Sequence, residues 1–146
     1  MIKPAVHPDT RQRIAGHLVN LASDDDATAT RAELRLLRFG KKAIAQLLEL
    51  VASENPRVRL RVVYLLGKTG APEVFPVVAS LVHDPDDFVR YDAVTALGSL
   101  GDPRAIPLLK VLATHGDDPA CIASAACMSL ALLGIDRNPD VAHTGV

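Results

Sequence analysis

The sequence predicts an all-α solenoid, a stack of helix pairs in which each unit packs only against its neighbours. The first observation is an internal repeat: residues 58–81 align without a gap onto residues 89–112, a period of 31 residues. The second is the spacing of apolar residues, which is typical of helices. The third is composition, since 49% hydrophobic but only 3% aromatic residues indicate a core of aliphatic helices. A period of about 20 to 50 residues is the signature of such stacks.

Each element follows from this period. An opening helix is expected at about residues 9–22 and a closing helix at about 119–133. Between them the predicted pairs are 28–39 with 41–53, 56–68 with 71–83, and 87–100 with 103–114. Proline behind a capping residue marks the helix starts at Asn55-Pro56, Asp102-Pro103, Asp118-Pro119 and, more weakly, Ala71-Pro72. Glycine in a left-handed conformation is expected to end helices at Gly40, Gly70, Gly101 and Gly134.

These elements form one predicted domain over residues 9–134, with tails at 1–8 and 135–146. The net charge of −1 and the pI near 6.5 produce no global field that would recruit nucleic acid or an anionic membrane. The first residues lack the apolar run of a signal peptide. Cys121 and Cys127 lie six apart on one predicted helix, so they point to different sides and cannot be joined within it. We therefore expect a cytoplasmic protein with reduced thiols.

The two central repeats carry a resemblance to a known family. The segments DPDDFVR (84–90) and AVTALGSLGDPRAIPLL (93–109) resemble the short HEAT-like repeats often found in phycobilin lyases. The resemblance covers about residues 9–134, although the first repeat lacks the Val-Arg pair and the last has Ile122-Ala123 in its place. It implies a right-handed α-α superhelix of about four repeats, which acts as a non-catalytic scaffold for protein-protein interaction.

The resemblance also implies a binding face. First helices would form the convex side and second helices the concave side, which would bind a protein partner whose identity the sequence does not reveal. The outward-facing positions of the second helices are Lys42, Gln46, Glu49, Ser53, Glu73, Ser80, His83, Arg104, Lys110 and Thr114. Their mixed charge is also that of an ordinary solvated helix face.

Arg59 and Arg90 follow equivalent valines at the start of a first helix, with Asp84 and Asp86 nearby in a preceding turn. A guanidinium group can bind several carbonyls and carboxylates at once with a fixed planar geometry. We therefore interpret these arginines as ties between repeats, with anion binding as the weaker alternative.

Charge is distributed unevenly along the chain. Residues 1–68 hold 12 Lys and Arg against 7 Asp and Glu, whereas residues 69–146 hold 4 against 10. The candidate anion-binding residues in the basic half are Arg31, Arg35, Arg57 and Arg61. Nucleic-acid binding through them is an alternative function, which the shortage of aromatic residues for base stacking disfavours. A head-to-tail contact between copies fits the same asymmetry.

Motifs for catalysis or for a cofactor are missing from the sequence. It contains no Gly-rich phosphate loop, no Gly-x-Ser-x-Gly and no His-Glu-x-x-His, and the His-Glu pairs of HEAT-like iron hydroxylases do not occur. The acidic turns before first helices are explained by capping, and they contain no Asp-x-Asp-x-Asp-Gly loop for calcium. We expect no catalytic residue, metal or cofactor. An accessory role in attaching a phycobilin-type chromophore is the other alternative that the resemblance leaves open.

The predicted closing helix is unusual because residues 121–133 carry no charge on any side. A terminal helix of a repeat stack is normally polar outside. Either the tail covers this helix, or a second copy or another protein does. The predicted self-association residues are Ile122, Met128, Ser129 and Leu132.

Overall fold

The computed structural model describes residues 8–114 and 121–135, and within these ranges the chain is helical with no strands. The α-helices are α1 (Pro8–Asn20), α2 (Asp26–Phe39), α3 (Ile44–Glu49), α4 (Pro56–Lys68), α5 (Phe75–Ser80), α6 (Asp87–Leu100), α7 (Ala105–Thr114) and α8 (Ile122–Leu132). Short 3-10 turns at Gly40–Ala43 and Pro72–Val74 precede α3 and α5, and another at Leu81–His83 follows α5. None of the described helices is long and apolar enough to cross a membrane.

The helices form two layers, as the sequence predicts. Helices α2, α4, α6 and α8 pack side by side in a first-helix layer, and α3, α5 and α7 pack behind them. Helix α1 belongs to this second-helix layer, because it packs on both α2 and α3 and the Gln46 side chain donates to the carbonyl of Arg11 at 3.2 Å. The described part of the stack therefore starts with an unpaired second helix, α1, and ends with an unpaired first helix, α8. The predicted right-handed α-α solenoid is confirmed.

Second helices are shorter than the sequence predicts. Helices α3 and α5 have only six residues each, and 3-10 turns occupy the start of both predicted segments. Pro72 lacks a backbone N–H and favours a tight turn at the start of its segment. Helix α8 begins at Ile122, because Cys121 has a left-handed backbone with φ of 59° that cannot continue a helix. The predicted Asp118-Pro119 start lies outside the described residues.

Local signals at the other boundaries act as predicted. Side chains of Asp25, Asn55 and Asp86 accept hydrogen bonds from backbone N–H groups at the starts of α2, α4 and α6. The four turn glycines all have positive φ, between 52° and 76°. Helix boundaries in this chain are therefore set mainly by short-range contacts.

One aliphatic core runs through the stack. Leu36, Leu66 and Leu97 occupy the same repeat position on α2, α4 and α6, and each is almost fully buried. Leu130 occupies that position on α8, since the spacing from Leu97 to Leu130 is two residues longer than the 31-residue period. The repeat thus places equivalent side chains in one continuous cluster.

First helices cross most closely where they carry glycine. A Cβ added to Gly67 of α4 would lie 2.8 Å from the Cβ of Ala96 on α6. One added to Gly98 of α6 would lie 2.7 Å from the Cβ and Oγ of Ser129 on α8. In the repeat register, Leu37 of α2 takes the position that Gly67 has on α4. Helix α2 packs less extensively on α4 than α4 does on α6.

One predicted tie between repeats is present at Arg59. The Nε and Nη2 atoms of Arg59 each donate to the Asp84 carboxylate at 2.9 Å, and Nη1 donates to the Ser53 carbonyl at 2.8 Å. Arg90 makes the contact equivalent to that of Arg59 with the Ser53 carbonyl, because it donates to the Asp84 carbonyl at 2.9 Å. Arg90 also binds the side chain of Asp87. The ion pair of Arg59 and Asp84 joins α4 to the turn before α6, and both of its side chains are largely buried. The predicted tie between repeats is confirmed for Arg59, whereas these contacts of Arg90 are with the turn before its own helix and with the first residue of that helix.

Candidate binding surfaces

The predicted face of the second helices is exposed but partly committed to structure. Lys42, Glu49, Glu73, Ser80, His83 and Lys110 are exposed. Gln46 holds α3 to α1 through the hydrogen bond described above. The hydroxyl of Ser80 donates back to the carbonyl of Val77 at 2.7 Å. The exposed members that remain have mixed charge.

Arg104 is a structural contact that sequence reasoning assigned to the binding face. Its Nη2 atom donates to the carbonyl of Pro72 at 2.8 Å and to the Asp102 carboxylate at 2.7 Å. Its guanidinium carbon lies 4.4 Å from the ring centroid of Phe75. Arg104 therefore links the start of α7 to the α5 segment. The Asp-Pro pair before Arg104 predicts a turn in the sequence. The contacts that Arg104 makes with Pro72 and Phe75, about 30 residues away, can be identified only from the folded structure.

The four candidate anion-binding arginines are not equivalent. Arg61 donates to Glu33 of α2 at 2.7 Å and lies 3.4 Å from Asp26, so its charge is already compensated. Arg57 is exposed on α4. Arg31 and Arg35 both line a groove between α1 and α2. The structure thus separates the pair on α2 from the two arginines on α4.

The groove between α1 and α2 has a volume of about 170 Å³. His17 and Asn20 of α1 form one wall, and Thr28, Arg31 and Arg35 of α2 form the other, with Ala32 between them. The Thr28 backbone N–H and hydroxyl both donate to Asp25, and this lowers the pKa of that carboxyl. Sequence reasoning missed His17, Asn20 and Thr28 as possible ligand contacts. His17 and Asn20 lie on α1, and Thr28 lies in the first turn of α2. No periodicity in the sequence relates these residues to Arg31 and Arg35.

Helix α8 buries one part of the predicted self-association set and exposes the other. Ile122 and Ser129 are 3% and 1% exposed, and the Ser129 hydroxyl donates to the carbonyl of Val94 at 2.9 Å. These two residues therefore pack inside the chain, and their assignment to an interface between copies was wrong. Met128 and Leu132 are 66% and 69% exposed. The open side of α8 is uncharged.

A shallower groove between α4 and α6 contains a half-buried acid. Asp92 lies there with Tyr64, Lys68 and Thr95 on its walls. Burial, assisted by the charge of Glu33, raises the pKa of Asp92. The Lys68 ammonium lies 5.4 Å from the ring centroid of Tyr64 at the rim. This groove has the dimensions of a packing defect, at about 50 Å³.

No group of three or more His, Cys, Asp or Glu side chains converges among the described residues to hold a metal ion. Cys121 and Cys127 are free thiols, as predicted.

Comparison with known proteins identifies the repeats. A family described as HEAT repeats matches residues 44–131, which is more than half of the chain. The chain belongs to the HEAT-repeat family. No curated protein matches this HEAT-repeat chain in sequence.

A solved structure of human deoxyhypusine hydroxylase in complex with glycerol has a similar fold, with a TM-score of 0.68 and 23% sequence identity. The match covers 86% of this chain but 45% of the hydroxylase chain. At this identity the likeness shows the fold alone.

Proposed function

We propose that this HEAT-repeat chain is a scaffold that binds another protein and has no catalysis of its own. The observation that carries the proposal is the open side of α8, where Met128 and Leu132 are about two-thirds exposed on a helix without charged residues. Phe88 of the neighbouring α6 is 73% exposed in the same layer. Exposed apolar patches on folded domains commonly mark interaction sites.

The physical argument rests on burial of these side chains by a partner. Covering a large apolar side chain stabilises a complex by about 1.5–3 kcal/mol relative to leaving it in water. Two such residues one turn apart can form the centre of an interface. The repeat register aligns Met128 with Thr95 and Leu132 with Ser99 on α6. The α6 residues at these two positions are therefore also uncharged.

A second copy of the chain is the first occupant to test, because self-association is one of the ways in which this uncharged helix could be covered. The experiment compares the native mass of the wild type, Leu132→Asp and Leu34→Asp by light scattering across a concentration series. Leu34 is a matched control, because it is 58% exposed on α2 of the same layer. We expect a dimer in the wild type and Leu34→Asp, and a monomer in Leu132→Asp.

A dimer that survives in folded Leu132→Asp would exclude α8 as the self-association surface. If all three proteins are monomeric, the patch is not a homodimer interface, and the proposal then requires a different protein partner. A photo-crosslinking residue at position 128 tests for such a partner, with position 34 as its control. Crosslinks to one protein from position 128 alone would support the scaffold function.

The exposed second-helix residues are the second proposed contact surface, and they include Lys42, Glu49 and His83. The alternative of nucleic-acid binding is weakened because Arg61 is paired with Glu33. The chromophore-attachment alternative stays a prediction. We expect the scaffold to act in the cytoplasm, in keeping with its free thiols.

A further inference from the structure

The arginines of the first helices divide into two groups by their partners. Arg59, Arg61 and Arg90 each bind at least one carboxylate. The guanidinium groups of Arg31 and Arg35 make no hydrogen bond or ion pair with the other described residues. Two guanidinium groups without a bonded carboxylate therefore line the same groove.

These two arginines are well placed to act together. They lie four residues apart on α2, which puts them on one side of the helix a single turn apart. Across the groove, His17 and Asn20 of α1 lie three residues apart and add further potential hydrogen-bond donors. A ligand in the groove would thus meet polar groups from both helices.

Acidic groups near the groove are few and already engaged. The Asp25 carboxylate accepts from the Thr28 backbone and hydroxyl, and it lies within electrostatic range of Arg31. Asp26 lies 3.4 Å from Arg61 on the other side of α2. Asp25 therefore offsets part of the Arg31 charge.

We propose that the groove between α1 and α2 binds a phosphoryl group, a phosphate monoester dianion, through Arg31 and Arg35. Guanidinium forks match phosphate oxygens with paired hydrogen bonds, and two forks can hold three oxygens. The volume of about 170 Å³ is several times the roughly 30 Å³ that a water molecule occupies in the liquid. The groove is therefore large enough for the phosphoryl group together with part of the molecule that carries it. This site is distinct from the proposed protein-binding surface on α8.

The phosphoryl group has two potential sources, a small phosphate ester or a phosphorylated side chain of a protein. The test is an amide NMR titration of the full chain at 0.15 M salt, an ionic strength of about physiological value that screens distant charges. The probes are inorganic phosphate, glycerol 3-phosphate, and a phosphoserine pentapeptide with its unphosphorylated form. We expect saturable shifts of the amide signals of His17, Asn20 and residues 28–35 with inorganic phosphate, glycerol 3-phosphate and the phosphopeptide. The unphosphorylated peptide should cause none.

Three variants locate the site. Arg35→Gln should weaken binding about tenfold or more, because a charge-assisted hydrogen bond is lost. Arg31→Gln with Arg35→Gln should abolish it. Arg38→Gln is the matched control: it removes one charge from the same helix outside the groove lining, and it should change affinity less than about twofold at this salt concentration. The spectra themselves show that each variant is folded.

The affinities of the probes separate the two sources. Tighter binding of the phosphopeptide than of either small phosphate supports a phosphorylated protein partner. Tighter binding of glycerol 3-phosphate than of inorganic phosphate and the phosphopeptide supports a small ester. The proposal is overturned if no phosphate-containing probe shifts the groove residues, if the unphosphorylated peptide shifts them equally, or if Arg38→Gln weakens binding as much as Arg35→Gln. None of these outcomes depends on α8, so the scaffold proposal succeeds or fails independently.

Discussion

The junction between α2 and α4 differs from the junctions that join α4, α6 and α8. At the later two, glycine on one helix lets the next helix approach closely, as Gly67 does for Ala96 and Gly98 for Ser129. At the first, Leu37 takes the glycine position and the helices pack less extensively. The comparison teaches that one repeat pattern can produce both tight and loose junctions, depending on the side chain at a single crossing position.

Polar contacts differ between the same junctions. The central junction contains the buried pair of Arg59 and Asp84. The first junction instead contains the pair of Arg61 and Glu33, whose side chains are each 17% exposed. The Arg59 and Asp84 side chains are 12% and 5% exposed, so the central pair is the more shielded, and removing one partner of a more shielded pair is more costly. The central repeats should therefore be the more sensitive to mutation.

The largest expected effect is at Asp84. Asp84→Ala leaves Arg59 buried without its carboxylate, and should lower the free energy of unfolding by about 3 kcal/mol or more. Glu33→Ala removes the corresponding partner at the first junction and should cost about 1 kcal/mol or less. Urea denaturation of both variants measures the difference. Equal losses would show that the two junctions are not distinguished by their ion pairs.

The Asp84 pair also predicts a pH dependence. Burial alone would raise the pKa of Asp84, but hydrogen bonds from Arg59 and from the Asp86 backbone outweigh it and hold the pKa below its ordinary value of 3.8. A lowered pKa contributes stability above the pKa of the unfolded chain, about 3.9, and that stability is lost as pH falls through the folded value. The stability gap between wild type and Asp84→Ala should therefore narrow below about pH 4.

The next effect is at the close crossing of α6 and α8. In Gly98→Ala the new Cβ would lie 2.8 Å from the Cα of Ser129, so the helices must shift, at a cost of about 1–3 kcal/mol. Gly16→Ala is the matched control, because nothing lies within 4 Å of a Cβ at that site on α1. It should stabilise the chain by up to about 1 kcal/mol through helix propensity. Thermal unfolding measures both variants against the wild type. If both unfolding temperatures rise, or both fall, the close crossing of α6 and α8 is contradicted.

The smallest effect is the hydrogen bond at that crossing. Ser129→Ala removes the donor to the Val94 carbonyl and should lower the free energy of unfolding by about 1 kcal/mol. Ser99→Ala removes an exposed hydroxyl that donates to the Thr95 carbonyl within α6. It should change stability by less than about 0.5 kcal/mol. If Ser129→Ala is as neutral as Ser99→Ala, the buried bond does not stabilise the junction.

The sequence by itself determined the repeat, the helices and most of their boundaries. Apolar spacing, capping side chains such as Asp86 and turn glycines such as Gly101 act within a few residues, so their effect can be read locally. The tie between Arg59 and the Asp84 turn was also predictable, because the repeat places each arginine near the next turn.

Only the tertiary structure decided which sides of the helices face outward and which charges are compensated. Helix α8 has no polar stripe to set its rotation, so its sequence did not show that Ser129 is buried while Leu132 is exposed. Arg31 and Arg61 look alike along the chain, yet one lines an open groove and the other binds Glu33 on a neighbouring helix. Such contacts join residues about 30 positions apart, and they depend on how closely neighbouring helices cross rather than on any local pattern.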